Sequence, residues 1–246
     1  MQRNTSHSRC LLIDAMGTLV KLEPPAPALR RELAHRFGIE VSLAQVQRAV
    51  AAEIAYYRAH MQDGRDAAGV QELQLRCAEA LRSALSGSRR LRGIDGASLT
   101  AALLASLRFR VYDDARPALE AARERGERVI VVSNWDASLA GVLARVGLGA
   151  LLDGVVTSAA AGARKPQPAI FEQALELAGV AAERAVHVGD SLEEDVAGAR
   201  AAGIAAVWVN RPRPPGASRL CAAATEVTTV TSLSELAAAI STLSDA

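Results

Sequence analysis

"CLLIDAMGTLV", residues 10–20, is the stretch whose reading decides the fold. Cys10 to Ile13 form a short unbroken apolar run. Asp14 closes it, and Gly17 and Thr18 follow as turn residues. A run this short, apolar at successive positions and bounded by turn chemistry, reads as a strand buried on both faces. Strands buried on both faces belong to parallel sheets covered by helices. In such sheets ligands bind beyond the carboxyl ends of the strands, which is where Asp14 stands.

Outward from this strand the chain changes character twice. Prolines 24, 25 and 27 suit a linker and the first turn of a helix. From about residue 28 to residue 90 the pattern is helical, with Gly38 as a stop and Ser42 as an N-cap. In the second of these helices Tyr56, His60 and Asp63 have i, i+4, i+7 spacing, which puts them on one face if the helix continues. After about residue 100, helices alternate with short apolar runs: "RVIVVSN", "GVVTS", "RAVHVGD", "IAAVWVN" and "TEVTTV". Ser232 and Glu235 have capping-box spacing ahead of the last helix. The expected fold is α/β: a doubly wound, mostly parallel sheet with an inserted all-helical domain. The core is expected at residues 1–20 and 96–246, and the insert at 21–95.

Composition narrows the function classes. The 246 residues are half hydrophobic, enough for a sizeable core, and the formal net charge is only +1. Nothing in that balance favours nucleic acid or an anionic membrane as a partner. Cys10, Cys77 and Cys221 are odd in number and far apart, with neither metal-knuckle spacing nor a disulfide framework. The N-terminal "MQRNTSHSRC" lacks the apolar stretch of a signal peptide, and no segment reads as membrane-spanning. A cytoplasmic protein, monomer or homodimer, is expected.

The strand-end rule then selects a small set of polar residues. Asp14 ends the first strand. Ser133 and Asn134 end the next core strand, with Asp136 close behind. "GVVTS" ends in Thr157 and Ser158 and leads to Lys165. "AVHV" is followed by Gly189, Asp190, Ser191, Glu194 and Asp195. Acids gathered at one edge repel unless something positive sits among them, and a divalent cation with Lys165 would serve. An oxygen-rich site without histidine pairs or thiols suits Mg²⁺ rather than Zn²⁺. Mg²⁺, backbone amides and a lysine suit a phosphoryl group, and a central aspartate can form an acyl-phosphate. His187, inside its strand, reads as a hydrogen-bonded core histidine. Trp135 reads mainly as packing. "RPRPPG", residues 211–216, reads as a loop near the site edge.

This constellation resembles the haloacid dehalogenase-like hydrolase superfamily, in the branch with a helical cap inserted after the first motif. The first motif, usually DxDGT, stands as "DAMGTL". The second is Ser133 in "VVSN", the third Lys165 in "KPQPAIF", and the fourth "GDSLEED" from Gly189 to Asp195. The resemblance implies a Rossmann-like core and a small phosphorylated molecule as substrate. It implies Asp14 as nucleophile, with the following amides, those of Ala15 and Met16, cradling phosphate. Ser133 would donate to a phosphoryl oxygen, and Lys165 would neutralise charge and orient Asp14. Asp14, the Met16 carbonyl and Asp190 would ligate Mg²⁺. Asp195, with Ser191 and Glu194, would stand behind them, Asp195 holding Lys165 or a metal-bound water. Asn134 would reach the phosphoryl group or the substrate. Thr18 would stabilise the turn and orient a site carboxylate.

Position 16 departs from the pattern. The phosphatases of this family carry aspartate there, which protonates the leaving oxygen and then activates water. A methionine thioether has no titratable proton. Two readings stand beside a phosphatase with altered proton donation: a metal-independent 2-haloacid dehalogenase-like hydrolase, since halide needs no proton to leave, and a non-catalytic phosphometabolite-binding or regulatory protein. Family members that cleave phosphonoacetaldehyde recruit a cap lysine. Residues 28–90 contain none.

Overall fold

All four residues of the run Cys10–Ile13 are buried, and they form β1. The computed structural model describes residues 9–85, 89–212 and 227–244. Two compact units share the chain. The first takes in the described residues of Met1–Lys21, Val111–Asn134 and Leu139–Ala246, and the second those of Leu22–Arg110 and Trp135–Ser138.

The first unit is a parallel sheet with helices. Its strands are β1 (Cys10–Ile13), β4 (Arg128–Ser133), β5 (Gly154–Thr157), β6 (Ala185–Gly189), β7 (Ala205–Val209) and β8 (Thr228–Val230). Their spatial order is β5-β4-β1-β6-β7-β8, and every pairing is parallel. β1 is therefore central. Ile13 is in register with Val131 on one side and Val188 on the other. This register places the residues after β1, β4 and β6 side by side at one sheet edge. Parallel neighbours require crossover connections. These carry α5 (Ala115–Glu124), α6 (Leu139–Arg145), α7 (Ser158–Ala161), α8 (Pro168–Ala178) and α9 (Gly198–Ala201), and α10 (Leu236–Ser244) closes the unit. On one face, Leu12, Ile130 and Val132 pack with Ile170, Phe171 and Ala174 of α8. The strand-rich second half of the sequence thus forms the doubly wound α/β sheet that its alternation implies.

The second unit is helical: α1 (Pro25–Phe37), α2 (Leu43–His60), α3 (Ala67–Ala84) and α4 (Gly96–Ser106). Leu29, Leu33, Val46, Leu73, Leu81, Leu99 and Leu103 form its core. α4 therefore packs with this unit although it starts past residue 95. Gly38 ends α1 in the left-handed conformation, and Ser42 with Gln45 makes a full capping box on α2. The chain passes between units through a two-stranded ribbon, β2 (Val20–Leu22) with β3 (Phe109–Val111).

Two local expectations fail for identifiable reasons. α2 ends at His60 and a 3₁₀ turn, Met61–Asp63, follows. The helical face stops there: Tyr56 stacks on His60 at 4.1 Å, while Asp63 turns to Arg76 at 2.9 Å. Ser232 and Glu235 make no reciprocal box. Ser232 accepts from Ser234 N and donates to Asp114, and Glu235 accepts from Thr231 Oγ1 at 2.7 Å. A nearer hydroxyl and a tertiary carboxylate outcompete the local cap. Among the described residues no helix is long and apolar enough to cross a membrane. Cys10 and Cys77 are buried free thiols. Cys221, residues 1–8 of the N-terminal segment and residues 213–216 of "RPRPPG" lie outside the described residues.

Candidate active site

Three charged side chains are buried at the carboxyl edge of the sheet. Asp14 follows β1, Lys165 lies in the loop before α8, and Asp195 lies in the π-helical turn after β6. They are 4%, 1% and 1% exposed. Lys165 Nζ donates to Asp14 Oδ1 at 2.6 Å and to Asp195 Oδ1 at 2.5 Å. Ser133, the last residue of β4, donates to the same Asp14 oxygen at 2.9 Å. Buried charges persist only when paired and hydrogen-bonded, and these meet that condition. Burial raises the Asp14 carboxyl above the usual carboxylate range; the Lys165 charge opposes this and the Asp195 charge adds to it. Burial also pushes Asp195 up, but the Lys165 charge and the His187 hydrogen bond outweigh it and hold Asp195 low. Lys165, against the effect of burial, is kept protonated by both carboxylates.

The loop after Asp14 is shaped by its own backbone. Leu19 N and Val20 N both donate to Ala15 O, and Gly17 N donates to Val20 O. These bonds leave the N–H groups of Ala15 and Met16, and the Met16 carbonyl, without partners among the described residues. Ala15 is fully buried. Buried N–H groups are seldom orphaned, so this pair beside Asp14 is a ready anion cradle. Gly17 makes the turn at φ +83°. A Cβ there would stand 2.2 Å from Asp190 Oδ2. Glycine at 17 thus admits the Asp190 carboxylate to the loop, as glycine at 189 admits Asp195, whose Cγ lies 2.1 Å from a Cβ at that position. One carboxylate oxygen each of Asp14, Asp190 and Asp195 lie within 4.8 Å of one another. Asp195 is already engaged: Oδ1 accepts from Lys165 and from His187 (2.9 Å), and Oδ2 from Ser191 N (3.0 Å). Asp14, Asp190 and the Met16 carbonyl are the oxygens that could hold a hard cation.

The remaining expected residues serve as supports. Asn134 grips the Lys165 backbone, donating from Nδ2 to Lys165 O at 3.1 Å and accepting from Lys165 N at 2.8 Å. One Nδ2 hydrogen and the Oδ1 of its amide thus help to place the lysine. Ser191 caps the following turn, accepting from Glu194 N at 3.1 Å. Glu194 faces Arg164 at 3.5 Å in an exposed pair. Thr18 is fully buried and its hydroxyl has no partner among the described residues, so it orients none of their carboxylates. Trp135 packs beside Phe109 with ring centroids 5.4 Å apart, and Asp136 accepts from Ser138 N.

Two contributors escaped the motif reading. Arg211 donates to Gly17 O (3.2 Å) and Thr18 O (2.8 Å), pairs with both oxygens of Asp114 (2.9 Å each), and stacks 3.8 Å from the centre of the Tyr112 ring. Ser232 and Leu233 N hold Asp114 from the other side. Three separated stretches of chain, at residues 112–114, 211 and 232–233, thereby fix the loop that carries Asp14. No local pattern announces this. Composition does mark Lys165: of 28 basic residues only two are lysine, Lys21 and Lys165. In so arginine-rich a chain, a buried lysine marks a position that needs a compact ammonium.

The family model for haloacid dehalogenase-like hydrolases matches residues 9–203. The chain is 33% identical over 234 residues to a phosphoserine phosphatase of Thermus thermophilus, covering 85% of this chain and 93% of that protein. It is 43% identical over 106 residues to haloacid dehalogenase-like hydrolase domain-containing protein 3 of Bos taurus, and that match spans 43% of this chain and only 42% of the relative. The L-2-haloacid dehalogenase PA0810 has the same fold, with a TM-score of 0.72 at 21% identity over 96% of this chain and 99% of that one. Because the family match runs through all four strand-end segments just described, this chain belongs to the haloacid dehalogenase-like hydrolases.

Proposed function

We propose that the protein is a Mg²⁺-dependent phosphatase acting on a small phosphorylated molecule through an aspartyl-phosphate at Asp14. The observation that carries this reading is the juxtaposition of Asp14 with two unpartnered N–H groups, a buried ammonium and a hydroxyl. That set binds a phosphoryl group and presents a nucleophile to it. The phosphatase relative that aligns over most of both chains supports it. The donors fit Mg²⁺, since Asp14, Asp190 and the Met16 carbonyl are hard oxygens and Met16 O is not spent on the protein. When bound, Mg²⁺ would supply charge that offsets the phosphate and the two carboxylates.

In this reading an Asp14 carboxylate oxygen attacks phosphorus, and the leaving oxygen departs with the electron pair of the broken P–O bond. Ala15 N–H, Met16 N–H, Ser133 and Lys165 hold the three phosphoryl oxygens while charge redistributes. Water then attacks phosphorus and gives up a proton to solvent as the bond between phosphorus and the Asp14 oxygen breaks, releasing phosphate and restoring the Asp14 carboxylate. Met16 donates no proton in the first step and accepts none in the second. Roughly 10²- to 10⁴-fold in rate rests on such a group. Acyl and aryl phosphates, whose leaving groups depart unprotonated, are therefore the substrates the site suits best.

The missing acid also favours a second reading, in which Asp14 attacks carbon and expels halide without metal. The test is hydrolysis of p-nitrophenyl phosphate and acetyl phosphate, with and without Mg²⁺, by wild type, Asp14→Asn and Met16→Asp. Metal-dependent phosphate release that Asp14→Asn abolishes is expected. Met16→Asp should help most on p-nitrophenyl phosphate, the poorer leaving group. Metal-independent chloride release from 2-chloropropionate, with no phosphate release, would establish the second reading. Phosphate binding without turnover in any variant would overturn both.

A further inference from the structure

His187 sits inside β6, level with Leu12 of the central strand, and is fully buried. One ring edge meets Phe171, 5.0 Å between centroids at 85°. Nε2 lies 2.9 Å from Asp195 Oδ1, the same oxygen that accepts from Lys165 Nζ. Nδ1 has no partner. A carboxylate oxygen only accepts, so the proton on this ring is assigned to Nε2. A second proton on Nδ1 would bury a charge with an unsatisfied donor, so the ring is assigned as neutral. The result is a buried chain of donors and acceptors, His187 to Asp195 to Lys165 to Asp14, running from the sheet interior to the nucleophile.

We propose that His187 is a positioning residue: its Nε2–H anchors Asp195 Oδ1, so that Asp195 holds the Lys165 ammonium on Asp14. Apart from the lysine that it holds, Asp195 has one other described anchor, the Ser191 N–H on Oδ2. A single hydrogen bond leaves a carboxylate free to turn about its own axis, whereas donors on both oxygens hold it in one plane. With Oδ1 and Oδ2 both claimed by the protein, Asp195 serves the lysine rather than a cation. The catalytic consequence rests on the phosphatase reading above, but the anchoring itself does not.

The experiment is built so that the two can fail separately. In Lys21→Arg protein, Lys165 is the single lysine in the chain. Lysine-selective ¹⁵N labelling then gives one side-chain ammonium signal, protected from water exchange by its two carboxylates. In that background His187→Gln keeps a neutral N–H at about the Nε2 position, His187→Met fills similar volume without a donor, and His187→Asn carries an amide too short to reach. The ammonium signal is expected to persist in His187→Gln and to broaden or vanish in the Met and Asn variants. On a phosphate ester kcat should follow the same order, the donorless variants falling roughly ten- to a hundredfold, the scale of one hydrogen bond to a charged group, and the Gln variant recovering most of that loss. If His187 merely fills space, Met equals or exceeds Gln in both signal and kcat, and the inference is wrong. Should His187→Met fail to fold, the Gln–Asn comparison makes the same decision. Should the wild type hydrolyse no phosphate, the ammonium signal still tests the anchoring.

Discussion

Each unit of this protein buries carboxylates, and the two treat them differently. At the sheet edge Asp14 and Asp195 share the Lys165 ammonium, with Ser133, His187 and Ser191 N completing their bonds. In the helical unit Glu53 of α2 is 5% exposed, with no ion pair among the described residues. Burial pushes its carboxyl up to about 7, and only a hydrogen bond with the Cys77 thiol pulls the other way. Gln62 Oε1 and Thr100 Oγ1 are also buried there without partners. A low-dielectric interior keeps a carboxylate ionised only when a positive group and directed donors accompany it. At the sheet edge the Lys165 ammonium and the Asp195 carboxylate, which is held low, form an ionised pair set against Asp14, whose carboxyl burial raises, while the helices hold a carboxyl that burial pushes up to about 7.

The largest expected effect comes from removing the cation. Lys165→Met strands two buried carboxylates and should destabilise the protein by about 3–5 kcal/mol, read by urea unfolding at pH 7; a loss under 1 kcal/mol would mean that the pair is not buried as described. Glu53 sharpens the other side. Its folded-state value lies above its ordinary 4.5, so its favourable contribution is complete below pH 4.5 and drains away as pH rises to about 7. Glu53→Gln should therefore gain on the wild type between pH 5 and pH 8, by up to about 3 kcal/mol, in thermal or urea unfolding. A pH-independent gap between the two proteins would refute the proton uptake. Gly189→Ala forces a methyl into Asp195 and should cost about 1–3 kcal/mol together with most of the activity; Gly93→Ala, where a Cβ meets nothing within 4 Å and the backbone is not left-handed, is the control for a methyl without a clash. The smallest effect is a gain. Thr18→Val removes a buried hydroxyl that has no partner, and should raise stability by up to about 1 kcal/mol in differential scanning calorimetry.

Much of the site is legible in the residues because it follows from one rule. Apolar runs buried on both faces form a parallel sheet, and such a sheet collects its polar strand ends at one edge. Asp14, Ser133, Lys165, Asp190 and Asp195 all follow from that. Asn134 shows what the rule does not reach: its place after Ser133 follows from the sequence, but its two hydrogen bonds to the Lys165 backbone, 31 residues away, do not. Glu235 shows the same at a helix start, where capping-box spacing loses to Thr231 and Ser232 turns to Asp114.

By itself the chain's sequence determined the sheet, the helical insert, the acid that closes the central strand and the lack of a titratable side chain at position 16, because period, turn chemistry and residue type are local properties. Tertiary structure alone decided which oxygen of Asp14 is already occupied, that Met16 keeps its N–H and carbonyl uncommitted, that Arg211 clamps the loop 194 residues before it, and that a strand histidine ends on Asp195. Each of these depends on where a side chain or carbonyl finds its hydrogen-bond partner among distant segments. That choice is made by packing, and no spacing along the chain encodes it.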